Sequence, residues 1–172
     1  GIEWVKEGPF NQVVRPPLQG GSDEEVLEYR FPIDCVDEFM SSMEPLLPLA
    51  DDYFIGCDVS PCLFELLTRV RGMQDTLFDL AARPDLCGNL LARAAGFSLE
   101  LAERACQRFA LDWLWTGDDV GGQQGMMMSP DCWRMTIKPH LAPLFGVAAS
   151  HGLWVAYHSC GAIAPIIPDL IE

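Results

Sequence analysis

The sequence predicts an α/β fold in which parallel strands are joined by crossover helices. Three short apolar runs, at residues 53–57, 111–116 and 153–158, have the composition of buried strands. Helical patterns separate them, and this alternation of strand and helix is typical of a parallel sheet. Because all three runs are apolar on both faces, we expect both sides of the sheet to be covered.

The first fifty residues lack this alternation. Prolines and glycines interrupt them, and Phe31-Pro32 ends any regular element there. A short helix is predicted over residues 36–46, where apolar side chains recur at four-residue spacing. We therefore expect residues 1–50 to form an irregular segment of the same domain as residues 51–172.

Recognisable signals mark the helices that follow. Ser60-Pro61 and Ser129-Pro130 each place a capping hydroxyl before a proline, a pairing favoured at helix starts. Apolar residues recurring every three or four positions predict a long helix over residues 84–109. A helix bent at its internal prolines is expected over residues 130–151, and a last one over residues 165–171.

The charge of the chain argues against several classes of partner. Its 25 acidic residues and 11 Lys and Arg give a net charge of −14, which repels nucleic acid and anionic membrane surfaces. No apolar run approaches the ~18 residues of a membrane-spanning helix. The seven cysteines include no CxxC pair, so we interpret them as free thiols of a cytoplasmic protein.

The last apolar run carries the clearest chemical signal. His158 and Cys160 stand two positions apart at its end, so on a strand both side chains point to the same side. An imidazole and a thiolate that converge in this way are ligands that zinc accepts. A core histidine beside a buried cysteine would give the same pattern, so the spacing leaves both interpretations open.

Carboxylates follow the other two runs at the same edge of the predicted sheet. Asp118 and Asp119 come directly after the second run, and Asp58 follows the first. Because α/β folds place their chemistry at the carboxyl ends of the strands, Asp118 and Asp119 are the candidate catalytic pair. A solvated turn whose carboxylates cap backbone amides is the alternative interpretation.

The loop after these aspartates supplies candidate substrate-binding residues. Gln123 and Gln124 can hydrogen-bond a substrate, and Met126 can offer an adaptable apolar contact. Ordinary loop polarity and apolar packing are the alternative roles. With Asp58, these three residues complete the predicted substrate-binding set.

These residues belong to an ordered series of motifs. The series is Gly117-Asp118-Asp119-Val120-Gly121-Gly122-Gln123-Gln124-Gly125, Met126-Met127-Met128-Ser129-Pro130, Ile137-Lys138-Pro139, His158-Ser159-Cys160-Gly161 and Pro168-Asp169-Leu170-Ile171-Glu172. In its order and spacing it resembles the uroporphyrinogen decarboxylase superfamily, from about residue 53 to the end. Within that superfamily the chain is most similar to the zinc-dependent, cobalamin-linked methyltransferases that methylate a thiol such as coenzyme M.

The resemblance implies a TIM-type (β/α)8 barrel, of which residues 51–172 would form about three βα units. It implies that His158 and Cys160 bind zinc, with a third ligand expected beyond Glu172. It also implies transfer of a methyl group from a corrinoid, carried by a partner protein, to a small zinc-bound thiol. We expect the intact protein to be such an enzyme and this part alone to be inactive.

Two other functions are compatible with the same residues. The first is uroporphyrinogen decarboxylation in porphyrin (haem) biosynthesis, on the same fold. A substrate rich in carboxylates needs Arg or Lys around it, yet no basic residue lies between Gly117 and Pro130. The second, from another class, is a non-catalytic fragment or interaction subunit that self-associates through exposed barrel edges.

Overall fold

The structure, a computed structural model, describes residues 2–172 as a mixed α/β fold. The strands are β1 (Glu3–Glu7), β2 (Phe10–Arg15), β3 (Gly56–Asp58), β4 (Trp113–Gly117) and β5 (Trp154–His158). The α-helices are α1 (Asp23–Glu28), α2 (Val36–Met43), α3 (Phe64–Arg71), α4 (Met73–Ala82), α5 (Pro84–Arg108), α6 (Pro130–Thr136), α7 (Lys138–Ser150) and α8 (Ile167–Ile171). Short 3-10 helices cover Ile33–Cys35, Glu44–Leu49 and Ala164–Ile166.

A three-stranded parallel sheet in the order β3–β4–β5 carries the predicted strands. Trp113 pairs with Gly56 on one side and with Trp154 on the other, and the register of β4 and β5 ends with Gly117 opposite His158. The predicted strands lie within three residues of the observed ones at each end. The expectation of parallel strands separated by helices is therefore confirmed.

The two faces of this sheet differ in burial. Leu114 and Thr116 of β4 point to one side and are completely buried. Trp113 and Trp115 point to the other side and are only partly buried, and Trp154 on the edge strand is 75% exposed. The expectation that both faces are covered is wrong for the described residues, because the indole side stays open to solvent. We call it the open face.

The long helix and the second Ser-Pro signal follow the prediction. Helix α5 begins at Pro84 and buries small and branched side chains along its length, packing against α7. Ser129 caps α6, because its Oγ accepts the Cys132 N–H at 3.1 Å. The helix predicted over residues 130–151 divides into α6 and α7 next to Pro139, whose missing N–H and ring oppose a continuous helix.

The first Ser-Pro signal does not start a helix. Helix α3 begins only at Phe64, and Ser60 instead donates its hydroxyl to Asp58 Oδ1 at 2.6 Å. Asp58 also accepts the Ser60 N–H, at 2.8 Å, in a local turn. The hydroxyl is thereby engaged before the helix begins, and the cap of α3 comes from Asp118 in a distant loop.

The first fifty residues hold more regular structure than the predicted irregular segment. Strands β1 and β2 form an antiparallel hairpin with Gly8 at a φ of +61° in its turn. Ser22 and Glu25 cap α1 reciprocally, each side chain accepting the backbone N–H of the other. Helix α2 confirms the predicted element at residues 36–46. Because β1 is exposed along its whole length, its sequence lacks the apolar alternation that would reveal a strand.

A buried arginine connects this segment to the α/β part of the chain. Arg71 is 4% exposed and pairs with the buried Asp79 at 3.0 Å between Nε and Oδ2. Its Nη1 also donates to the backbone carbonyls of Leu18 and Gly21. These two hydrogen bonds join the first segment to helix α3. Removing Asp79 would leave the buried Arg71 charge uncompensated. Within residues 2–172, no helix combines the length and the apolar character that crossing a membrane requires.

Candidate metal centre

The carboxyl end of β5 brings His158 and Cys160 together. His158 is the last residue of the strand, and its Nε2 lies 3.3 Å from the Sγ of Cys160 in the following loop. Zinc binds nitrogen at ~2.0–2.1 Å and sulfur at ~2.3 Å, so two ligands of one ion stand roughly this far apart. The predicted convergence of the two side chains is confirmed.

Asp119 adds an oxygen donor to this pair. Its Oδ1 lies 3.5 Å from His158 Nε2 and accepts the Cys160 backbone N–H at 2.6 Å. One potential ligand atom from each of the three residues falls within 4.8 Å of the other two. A nitrogen, a sulfur and an oxygen donor at these separations are a set that a divalent metal ion such as zinc accepts. Asp119 is an oxygen donor that the sequence analysis did not include among the metal ligands, and the ligand expected beyond Glu172 stays a prediction. We call these three residues the triad.

The Asp119 carboxylate also changes the acidity of the Cys160 thiol. A hydrogen bond with Asp119 and its negative charge raise the pKa of Cys160 above the ordinary value for a thiol. Cys160 by itself is therefore a poor nucleophile at neutral pH, because the thiolate is the reactive form. A divalent cation reverses this effect, since coordination removes the thiol proton.

Exposure distinguishes Cys160 from the other cysteines. All seven are free, and Cys160 is the one exposed to solvent. Burial raises the pKa of Cys57 to about 11 and that of Cys62 to about 12, so both stay protonated as core side chains. The free thiols that the sequence predicts are confirmed.

An aromatic ring positions the imidazole. The Trp115 indole stacks on His158, with ring centroids 5.9 Å apart and planes 20° apart. Across the strands, His158 lies opposite Gly117, where an added Cβ would stand 3.2 Å from the His158 Cβ. The glycine thus makes room for the histidine side chain, and the indole limits its rotation.

Two glycines allow the Asp119 and Cys160 loops to approach. A Cβ on Gly121 would lie 2.5 Å from the Cys160 carbonyl oxygen, and one on Gly161 would lie 2.5 Å from the Gly121 backbone. Gly161 also has a φ of +77°, which L side chains rarely adopt. The Ala162 N–H donates across the gap to the Gly122 carbonyl at 2.9 Å. The close approach of the two loops therefore explains why these positions of the two motifs are glycine.

Asp118 points away from the triad into the protein. It is completely buried, and its Oδ1 accepts the Leu63 and Glu65 N–H groups at 3.1 and 3.0 Å. These donors lie at the start of α3, where a helix leaves backbone N–H groups unpaired. Burial raises the pKa of Asp118 to about 7, although the backbone hydrogen bonds oppose this shift. Asp118 therefore caps α3, which is the alternative role that the sequence left open, and its catalytic role stays a prediction.

Glu65 joins the site although no sequence pattern indicates it. Its Oε2 accepts the Asp119 N–H at 3.3 Å, and its Oε1 lies 3.5 Å from Arg69 Nη2. Glu65 stands on α3, more than fifty positions before the loop that it contacts. The cap that Asp118 gives to the same helix and the Cys62 N–H bond to the Gly117 carbonyl, at 3.1 Å, bring the two segments together. Composition cannot reveal such contacts.

The predicted substrate-binding residues lie around the triad rather than in it. Asp58 is exposed at the end of β3 and pairs with Trp115 in the sheet register. Gln123 and Gln124 are exposed at the tip of the loop after β4, and Met126 is half-buried beside them. Their part in substrate binding stays a prediction.

Comparison with known proteins gives no match. The sequence matches no protein-family model, and no curated protein matches it. The chemical argument for this site accordingly rests on the triad and its surroundings.

Proposed function

We propose that this chain carries the metal site of a zinc-dependent methyltransferase of the uroporphyrinogen decarboxylase superfamily, which methylates a small thiol. The observation that supports it is the meeting of Asp119, His158 and Cys160 donor atoms within 4.8 Å. They meet at the carboxyl ends of two neighbouring parallel strands, where TIM-type barrels place their active sites. Three parallel strands in chain order, joined by helices, are also what consecutive units of such a barrel would form.

Each triad residue has a separate task in this proposal. His158 contributes a nitrogen that Trp115 holds in place. Cys160 contributes sulfur and loses its proton on binding, and Asp119 contributes oxygen while its Oδ1 anchors the Cys160 backbone. Bound zinc would lower the pKa of an incoming thiol and hold it as the thiolate that attacks a methyl carbon. A corrinoid on a partner protein is the proposed methyl donor.

Decarboxylation of a porphyrinogen has less support. Lys and Arg are absent from residues 109–133 and 139–172, which contain β4, β5 and the loops that follow them. A substrate with many carboxylates would find few partners there, and the net charge of −14 would repel it. A role as an interaction subunit has one observation in its favour, the open face with its 75% exposed Trp154.

Zinc content tests the proposed function. We expect the purified protein to retain zinc through desalting and Cys160→Ser to lose it, as measured by atomic emission. Cys132→Ser is the matched control, because Cys132 is half-buried on α6 outside the triad. Cobalt substitution should give a sulfur-to-metal charge-transfer band that only Cys160→Ser abolishes. Stoichiometric zinc in Cys160→Ser would contradict the proposal, and absence of zinc from the unaltered protein would favour the interaction subunit.

Asp119 gives a second test of the same site. Asp119→Ala removes the oxygen donor and the acceptor for the Cys160 N–H, so we expect zinc affinity to fall at least as far as the ~10–100-fold typical of losing an outer-shell partner. Gln123→Ala, an exposed change on the same loop, should leave affinity unaltered. Competition with a chromophoric chelator measures both. Equal affinities for the two variants would remove Asp119 from the ligand set.

A further inference from the structure

We propose that the thiol taken by this site carries a permanently charged onium group, such as a quaternary ammonium or a sulfonium, at the end remote from its sulfur. Trp115 and Asp58, on neighbouring strands beside the triad, form the subsite for that group. The identity of the ligand as a thiol rests on the proposed function, whereas the onium subsite rests on the aromatic and charged groups of the open face.

Trp115 offers the aromatic surface. It is partly exposed on the open face, stacks on His158 with centroids 5.9 Å apart, and meets Trp113 edge-on with centroids 5.6 Å apart. Its register partner on β5 is Ala156, which has a small side chain. A cation within ~6 Å of an indole centroid is attracted by the ring, and tryptophan is the strongest aromatic partner. The metal ligand His158 is in direct contact with this surface.

Asp58 places negative charge beside the indole. It is the register partner of Trp115 on β3 and is exposed at the carboxyl end of that strand. Its Oδ1 is held by the Ser60 N–H and hydroxyl, which orients the carboxylate. Asp119 and Glu65 add two more carboxylates at the same edge of the sheet. An onium ion would therefore meet an aromatic ring and a carboxylate together.

The distribution of basic residues favours a positively charged ligand. Residues 31–68, 109–133 and 139–172 contain all three strands and their following loops, and none of these stretches includes Lys or Arg. Arg69 lies just after the first stretch, and its guanidinium is already paired with Glu65. An anionic thiol such as coenzyme M would find no cation on these strands and loops, and the net charge of −14 would oppose its approach.

The aromatic partner favours an onium over a smaller cation. A methylated ammonium or sulfonium spreads its charge over methyl groups and holds water weakly, so it loses little hydration on contact with an indole. Aromatic surfaces with nearby carboxylates recognise such cations in preference to neutral groups of the same shape. Trp115 and Asp58 supply both features, so shape and charge together define the ligand class.

Choline is the probe, and the experiment uses metal-free protein so that its result does not depend on zinc. We expect the N-methyl resonance of choline to shift upfield on titration, through the ring current of Trp115, with saturable binding. The neutral isostere 3,3-dimethylbutan-1-ol should bind at least about tenfold more weakly, because only charge distinguishes the two. Equal binding of the two compounds, or no shift with choline, would overturn the inference.

Substitutions on the open face test where choline binds. Trp115→Leu should weaken choline binding about tenfold and Asp58→Asn a few-fold, with Trp115→Phe giving an intermediate loss if Leu impairs folding. Trp154→Leu is the matched control, since Trp154 lies on the same face two residues before Ala156. If it weakens binding as much as Trp115→Leu, choline contacts the open face without a defined subsite and the inference fails. Zinc retained without choline binding would overturn this inference alone, whereas choline binding without zinc would overturn only the proposed function.

Discussion

The two faces of the sheet come from the same strands, yet they serve different purposes. On the helix side, Leu114 and Thr116 are completely buried, and the Thr116 hydroxyl is satisfied by the Ala156 carbonyl at 3.1 Å. On the open face, Trp115 remains partly exposed and leads to the triad at the carboxyl edge. The difference shows that packing on one face supplies most of the stability of the sheet. The other face can therefore present charged and reactive groups.

The largest expected effect on stability comes from truncating one residue on each face and comparing the two losses. Leu114→Ala leaves a cavity in the buried face and should cost about 2–5 kcal/mol of unfolding free energy. Trp154→Ala removes a side chain that is 75% exposed and should cost less than about 1 kcal/mol, although it deletes more atoms. Urea denaturation followed by circular dichroism measures both. A Trp154 cost equal to that of Leu114 would mean that the open face is covered in solution.

A smaller effect is expected where the two loops of the triad touch. Gly161→Ala forces a side chain into a positive φ and within 2.5 Å of the Gly121 backbone, so we expect a loss of about 1–3 kcal/mol. Zinc affinity should fall with it, because the Cys160 loop must move. Gly125→Ala is the control, since nothing lies within 4 Å of its added Cβ. Equal zinc affinity in both variants would show that the loop contact does not shape the site.

The cap of α3 should contribute less. Asp118→Ala leaves the Leu63 and Glu65 N–H groups without their acceptor, at an expected cost of about 1–2 kcal/mol in unfolding free energy. Asp131→Ala is the control, because Asp131 is an exposed aspartate in the first turn of α6. Thermal and urea unfolding of the two variants give the difference. A loss at Asp131 equal to that at Asp118 would contradict the capping role.

The sequence predicted the strands and α5 because their signals are local. Apolar runs and three-to-four residue spacing depend only on neighbours along the chain, as the observed strand ends and the Pro84 start show. The pairing of His158 with Cys160 was likewise predictable, since alternation on a strand fixes it. Ser129-Pro130 marked a helix correctly because its hydroxyl was free to cap.

The features that escaped prediction depend on contacts between distant segments. Ser60-Pro61 failed as a helix signal because Asp58 engages the Ser60 hydroxyl, and the cap of α3 comes from Asp118. Adjacent aspartates look alike in sequence, yet Asp118 is buried under α3 and Asp119 belongs to the triad. Glu65 could be assigned only once that helix was placed against the loop.

The buried carboxyl of Asp118 also predicts a pH dependence of stability. Its folded pKa of about 7 exceeds the ordinary ~3.9 of an aspartate, so between these values the folded protein binds more protons than the unfolded chain. The stabilisation is complete below the unfolded pKa and is lost as pH rises through the folded one. We expect unfolding free energy to fall from pH 5 to pH 8, and less steeply in Asp118→Asn. Parallel slopes in urea titrations of the two proteins would contradict this assignment.

The cap on α3 also sets an order for folding. The first turn of this helix depends on a carboxylate that lies 53 to 55 residues later in the chain, on the loop after β4. A contact of that sequence separation forms only after the intervening chain has closed into a loop, which is slower than local helix formation. We therefore expect helix α3 to gain its full length together with β4 rather than before it. In that order, the first strand–helix unit would be complete only after β4 and its following loop had formed.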